Sequence, residues 1–153
     1  MDFKLKNNII EVKAWAIILV DTEKKNIKID DYQIDFPGEY EKSCILIEVK
    51  EYNNQLFYNL KIDSKSLLVI FEETFEIKEE ILSFFGDVDV LLIKWSKESV
   101  KMTENIESRV IIPFWEAKDV FLNTIGQHIE WVTVFKYKND INEDSVYVNL
   151  IES

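Results

Sequence analysis

Few side chains in this chain could do chemistry. Its 153 residues include one histidine, His128, and one cysteine, Cys44. A catalytic zinc takes three protein ligands, mostly imidazole, and keeps a fourth position open. His128 and Cys44 could build such a site only with a heavy carboxylate contribution. Nucleophilic catalysis meets the same shortage. A Ser-His-Asp or Cys-His arrangement would have to recruit His128, and no G-x-S-x-G elbow occurs. His128 follows Gly126 just past a predicted helix, where the dipole favours an imidazolium, so a surface position is expected. Cys44 opens a predicted strand and reads as a small buried apolar residue. The three glycines are too scattered to cradle a phosphate. Glu72-Glu73 and Glu79-Glu80 look like paired acids. Neighbours on a strand point to opposite faces, however, and the second pair falls on a polar helix face. Solvation is the better explanation for most of them. Glu39 and Glu41 sit in a segment that shapes a turn, and nothing there indicates acid–base work.

The elements that must position these residues are mostly strands. Ile9–Val12 and Trp15–Val20 are β-rich, with Trp15, Ile17 and Leu19 on one face. Tyr32–Phe36 alternates Tyr32, Ile34 and Phe36, and Ile45–Val49 alternates Ile45, Ile47 and Val49, as half-buried strands do. Asn53-Asn54 predicts a turn leading into Leu56–Ile62, with Leu56, Tyr58, Leu60 and Ile62 on one face. Leu67–Phe71, Val88–Trp95 and Val110–Phe114 are near-continuous apolar runs, expected of strands covered on both faces. Trp131–Tyr137 and Val146–Ile151 read as an antiparallel pair around a turn at Asn139–Asp144. Helices are fewer. Ile77–Phe85 is stopped by Gly86, Glu116–Ile125 by Gly126, and Ser99–Glu107 carries Val100, Thr103 and Ile106 on one face.

Composition bounds the rest. The length and the 47% hydrophobic content suit a single domain over residues 1–153 with its own core. One cysteine cannot form an intrachain disulfide, which fits a reducing compartment. The first residues, MDFKLKNN, lack the apolar core of a signal peptide. The longest apolar run, Ala14 to Val20, is far shorter than the roughly 20 residues that span a bilayer. A cytoplasmic protein without membrane attachment is the expectation. The net charge is −11, with 29 acidic against 18 basic residues and a single arginine, Arg109. Nucleic-acid affinity rests on neutralising phosphates with Lys and Arg, so nucleic acid is excluded as a partner. The acids serve solubility, or alternatively a face for a basic partner.

Three segments in order carry a resemblance. They are Phe36-Pro37-Gly38-Glu39-Tyr40-Glu41, then Gly86-Asp87-Val88-Asp89 with the apolar run to Ile93, then Arg109-Val110-Ile111-Ile112-Pro113-Phe114-Trp115. Together they resemble the metallo-β-lactamase-fold hydrolases, in particular the short bacterial Zn-dependent group. The resemblance covers Ile34 to the C-terminus. It implies an α/β (α+β) fold in which two β-sheets pack face to face with helices outside. The family's H-x-H-x-D-H metal motif would precede Pro37, Gly38, Glu39 and Tyr40. Here Asp21–Asp31 joins those segments directly and without histidine, so the first half is expected to be truncated. Glu72 falls where the family has an Asp. Trp115 stands in place of the histidine of V-I-P-x-H, and Trp95 ends the neighbouring strand. An indole nitrogen only donates. The resemblance thus implies a vestigial site at Glu72, Trp95 and Trp115, plugged by two aromatics, with no metal and no other cofactor.

The expected function is that of a catalytically inactive, metal-free member of this fold acting as a binding or assembly module. One alternative is a metal-dependent hydrolase with a noncanonical site around Glu72, Glu39 and other carboxylates. Another is an acidic partner-binding protein. A homodimer built on the N-terminal half is expected, because a shortened first half leaves apolar strand surface uncovered, and an unidentified protein partner is the other candidate.

Overall fold

The computed structural model describes residues 1–115, 129, 131–138 and 145–152. Two-residue turns set its architecture. Asn7-Asn8, Ser43-Cys44, Asn53-Asn54 and Asp63-Ser64 all hold φ between 48° and 64°. Such left-handed pairs make the hairpin turn whose twist matches that of the flanking strands. In a chain with three glycines, Asn, Asp and Ser supply most of these positions, because their short polar side chains tolerate the left-handed region. Cys44 is one of them. It is exposed, which corrects the expectation of a small buried apolar residue. The strand begins one residue later, at Ile45.

Asn7-Asn8 joins β1 (Asp2–Lys6) to β2 (Ile9–Lys13), and β3 (Ile17–Asp21), β4 (Asn26–Ile29) and β5 (Tyr32–Ile34) continue an antiparallel meander. The other three turns join β6 (Gly38–Lys42), β7 (Ile45–Tyr52), β8 (Gln55–Ile62) and β9 (Lys65–Ile70), again antiparallel. The connections then change. Helix α1 (Glu79–Phe85) crosses to β10 (Val88–Lys94), and α2 (Lys97–Glu104) crosses to β11 (Ser108–Phe114). Strands β9, β10 and β11 are mutually parallel, which is why they need such crossovers. Gly86 closes α1 at φ 59°, its N–H donating to the Leu82 carbonyl at 3.1 Å. Helix α2 starts before the expected Ser99 because Ser96 caps it. The Ser96 hydroxyl accepts from the Ser99 N–H, while the Ser99 hydroxyl accepts from the Ser96 N–H at 2.7 Å.

The short C-terminal strands do not pair with one another as an antiparallel hairpin. Strand β13 (Val134–Lys136) adds antiparallel to β1, and β14 (Val146–Tyr147) adds parallel to β11. Strand β12 (Trp131–Val132) pairs parallel with β15 (Asn149–Leu150). Two open sheet edges offer these strands backbone partners that a hairpin would leave exposed. The turn at Asn139–Asp144, the helix at Glu116–Ile125, Gly126 and His128 lie outside the described residues.

Two large sheets result, in the orders β13-β1-β2-β3-β4-β5 and β14-β11-β10-β9-β8-β7-β6, with β12 and β15 as a separate pair. Alternation decides which side chains lie between them. Phe3, Ile10, Val12, Ile18 and Val20 from the first sheet meet Ile47, Tyr58, Leu60, Leu67 and Val69 from the second. The alternate residues of β8, β9 and β10, Phe57, Leu68, Ile70, Leu91 and Ile93, pack on the far side against Ile81 and Phe85 of α1. Strands β9 and β10 are therefore covered on both faces, as their unbroken apolar runs predict. Burying each such side chain contributes about 1.5–3 kcal/mol before the entropy of ordering it. Tyr32–Phe36 departs from expectation. Only Ile34 is buried, while Tyr32 and Phe36 are exposed, because the strand ends at Ile34 and the chain leaves for the second sheet at Pro37. Among the described residues no helix is long and apolar enough to cross a membrane.

Candidate functional site

Ligands of parallel sheets gather beyond the carboxyl ends of the strands, and the residues singled out by the sequence lie there. Glu72 and Glu73 follow β9, Lys94 and Trp95 stand at the end of β10, and Trp115 follows β11. These strands are neighbours, so three segments distant in sequence meet along one rim. Their side chains part company. Trp95 is fully buried in the core under the helices, with its ring edge-on to Tyr147 at 6.3 Å. Its backbone N–H donates to the Phe114 carbonyl at 2.9 Å, which extends the β10–β11 ladder by one residue. Trp115 is 40% exposed. The expectation of two indoles plugging one cavity is thereby corrected: Lys94 pairs with Phe114, so a regular ladder would set Trp95 and Trp115 on one face, but Trp95 faces the helices while the turn at Trp115 brings its ring to Lys94. Trp115 holds φ 103°, a backbone conformation that costs a bulky residue free energy.

The carboxylates at this rim are occupied. Glu72 Oε1 lies 3.4 Å from Lys25 Nζ, and Glu73 Oε1 lies 3.6 Å from Lys94 Nζ. The same Lys94 ammonium sits 4.1 Å above the centre of the Trp115 ring. Lys25 belongs to the turn between β3 and β4, the segment without histidine. Asp21 Oδ1 ties that turn by accepting from the N–H groups of Glu23 (3.1 Å) and Lys24 (2.9 Å). The Tyr58 hydroxyl donates to the Lys25 carbonyl at 3.4 Å. Burial pushes the Tyr58 hydroxyl up to about 12, with the negative charge of Asp35 next in importance. Beside this turn a cleft of about 330 Å³ opens between the sheets, floored by Ile10, Ile112 and Phe114 and edged by Trp115, Glu23 and Glu152.

Pro37, Gly38, Glu39 and Tyr40 are not part of this rim. They open β6, which is separated from β9 by β7 and β8, a gap of roughly 14 Å at the usual strand spacing. Glu39 is exposed there and does not converge with Glu72, so a carboxylate site shared by the two is ruled out. The segment instead braces the crossing between sheets. The Tyr40 hydroxyl donates to the Phe36 carbonyl at 2.8 Å and lies 3.4 Å from that of Pro37. Gly38 holds φ 149°, and a Cβ there would stand 3.3 Å from the Tyr40 hydroxyl oxygen.

A second polar cluster lies at the amino ends of the same strands, and sequence reasoning missed it. Asp89 Oδ2 accepts from the Ser66 N–H at 2.7 Å, and Oδ1 accepts from the Tyr137 hydroxyl at 2.8 Å. Arg109 Nε lies 3.8 Å from Oδ1. Burial, then the hydrogen bond and charge of Asp89, push the Tyr137 hydroxyl up to about 12. The available signal was an acid inside the apolar run Val88–Ile93.

The fit to a zinc ion can be judged from the donors. Among the described residues no three His, Cys, Asp or Glu side chains come together as metal ligands would. At the rim the carboxylates face ammonium groups, and the indole of Trp115 offers no lone pair. The described residues do not fit the metal.

No protein-family model matches the chain, and no curated protein matches it. Among solved structures, a Thermotoga maritima protein provisionally described as a Zn-dependent hydrolase of the metallo-β-lactamase superfamily superposes with a TM-score of 0.73 at 13% identity. The match covers 99% of this chain and 100% of that one. The fold is a metallo-β-lactamase-like β-sandwich.

Proposed function

We propose that this chain is a catalytically inactive, metal-free protein of the metallo-β-lactamase fold, retained as a binding or assembly module. The observation that carries the reading is Trp115. A donor-only ring ends β11, where the sequence resemblance expects a metal-binding histidine, and it is packed by an ammonium group. Zinc chemistry needs imidazole, thiolate or free carboxylate at such a position. Elemental analysis of protein purified without chelators tests this. The expected result is no stoichiometric zinc; a zinc bound tightly to each chain overturns the reading.

The assembly part rests on the N-terminal half. Trp15, Ile17, Tyr32, Phe36 and Leu46 are exposed large apolar side chains within one stretch of the sequence, and aromatic residues are favoured at interface cores. A second copy is the partner proposed, through an apolar contact that keeps the acids outside. Light scattering at micromolar concentration should give twice the mass of one chain. A monomer at both low and high salt removes the dimer and leaves the inactive-fold reading standing.

A further inference from the structure

The rim poses an electrostatic problem. Two adjacent carboxylates, Glu72 and Glu73, follow β9. Lys94 ends β10 between them and Trp115, because β10 runs between β9 and β11. Its side chain is only 15% exposed. A lysine side chain with so little exposure is costly unless its charge is met. It is met on two sides, by the Glu73 carboxylate at 3.6 Å and by the face of the Trp115 ring at 4.1 Å. Indole is the best of the side-chain rings at holding a cation, and desolvation strengthens the attraction. We propose that the Lys94 ammonium stands in for the metal, as a covalently tethered cation that neutralises the Glu73 carboxylate beyond β9 and gives Trp115 its function.

This inference rests on the metal-free reading and goes beyond it. It explains a backbone oddity as well. Trp115 keeps its positive φ of 103°, which a glycine would adopt more cheaply, and the conformation leaves its ring beneath the lysine. Lys25 plays a lesser part. Its side chain is 45% exposed, three times the Lys94 figure, and solvent screens its pair with Glu72.

The test separates charge from packing. Lys94→Met keeps a long unbranched side chain and removes the charge. Lys94→Arg keeps the charge and can both stack on indole and pair with carboxylate. Thermal unfolding of the full chain at neutral pH should show the Met variant lower by roughly 3–8 °C, with the gap narrowing as salt is raised. The Arg variant should retain most of the wild-type value. A Met variant as stable as wild type overturns the proposal. Should neither variant fold, amine acetylation of the wild-type chain followed residue by residue decides. Lys94 is expected to react several-fold more slowly than exposed Lys61, and equal rates overturn the proposal. Zinc added to the wild-type chain serves as the separate control: a zinc-dependent rise in Tm sinks the metal-free reading, while the Lys94 variants report on the tethered cation alone.

Discussion

The two ends of the parallel strands are held by similar residues in different ways. At the amino ends, Asp89 receives two short hydrogen bonds, 2.7 and 2.8 Å, from Ser66 and Tyr137. At the carboxyl ends the contacts are long: 3.4 Å for Lys25 to Glu72, 3.6 Å for Lys94 to Glu73 and 4.1 Å for Lys94 to Trp115. Short bonds to a charged acceptor are directional and fix where a strand sits. Long ion pairs balance charge without fixing geometry. The amino end behaves as a clamp between the sheets, since Asp89 is on β10 while Tyr137 follows β13 of the other sheet. The carboxyl end is the one whose composition can change without unseating the fold.

Matched substitutions test that contrast. Asp89→Asn replaces a carboxylate that accepts from two donors with an amide that can accept on one side only. It should cost about 2–4 kcal/mol in urea unfolding. Glu72→Gln makes the same chemical change at the opposite end and should cost under about 1 kcal/mol, because its partner is exposed. Equal losses would erase the distinction between the ends. Alkaline pH acts on both. The Tyr58 and Tyr137 hydroxyls sit at about 12 in the folded protein, against roughly 10 in the unfolded chain. Stability is therefore whole below pH 10 and declines as pH rises towards 12, where only the unfolded chain ionises freely. The loss is about 2–3 kcal/mol for fully buried Tyr58. Tyr137→Phe removes the amino-end share of that decline, so the pH 10–12 slope should fall by up to half. An unchanged slope means that Tyr137 ionises freely in the folded state.

Legibility followed the length of the elements. The runs Leu67–Phe71 and Val88–Trp95 betray strands covered on both faces, and Ile45, Ile47 and Val49 face inward as their alternation requires. That Glu72, Trp95 and Trp115 share one rim follows once each is seen to end such a run. Where their rings point does not follow, because side-chain direction at a strand end depends on the next residue's φ, and Trp115 turns at 103°. Cys44 is hard to read as a turn residue because Ser-Cys lacks the Asn or Asp that each of the other three left-handed pairs contains. Strands of two or three residues, such as β12 and β15, carry too few side chains to specify a register. The Tyr137–Asp89 bond spans 48 positions, and no local pattern announces it.

The first sheet is finished by the last strands of the chain. Strand β13 closes the free side of β1, and the Asn7 N–H donates to Glu152 Oε1 across 145 positions at 2.6 Å. During synthesis at about 5–20 residues per second, β1 thus waits roughly six to twenty-six seconds with one edge bare. Its meander can form early, from neighbouring hairpins, but its β1 edge is not sealed until Val134–Lys136 has been made. A ribosome-bound intermediate of this protein therefore presents an open β-edge to the cell, and its yield should depend on how quickly Val134–Lys136 is made and on what shields that edge meanwhile.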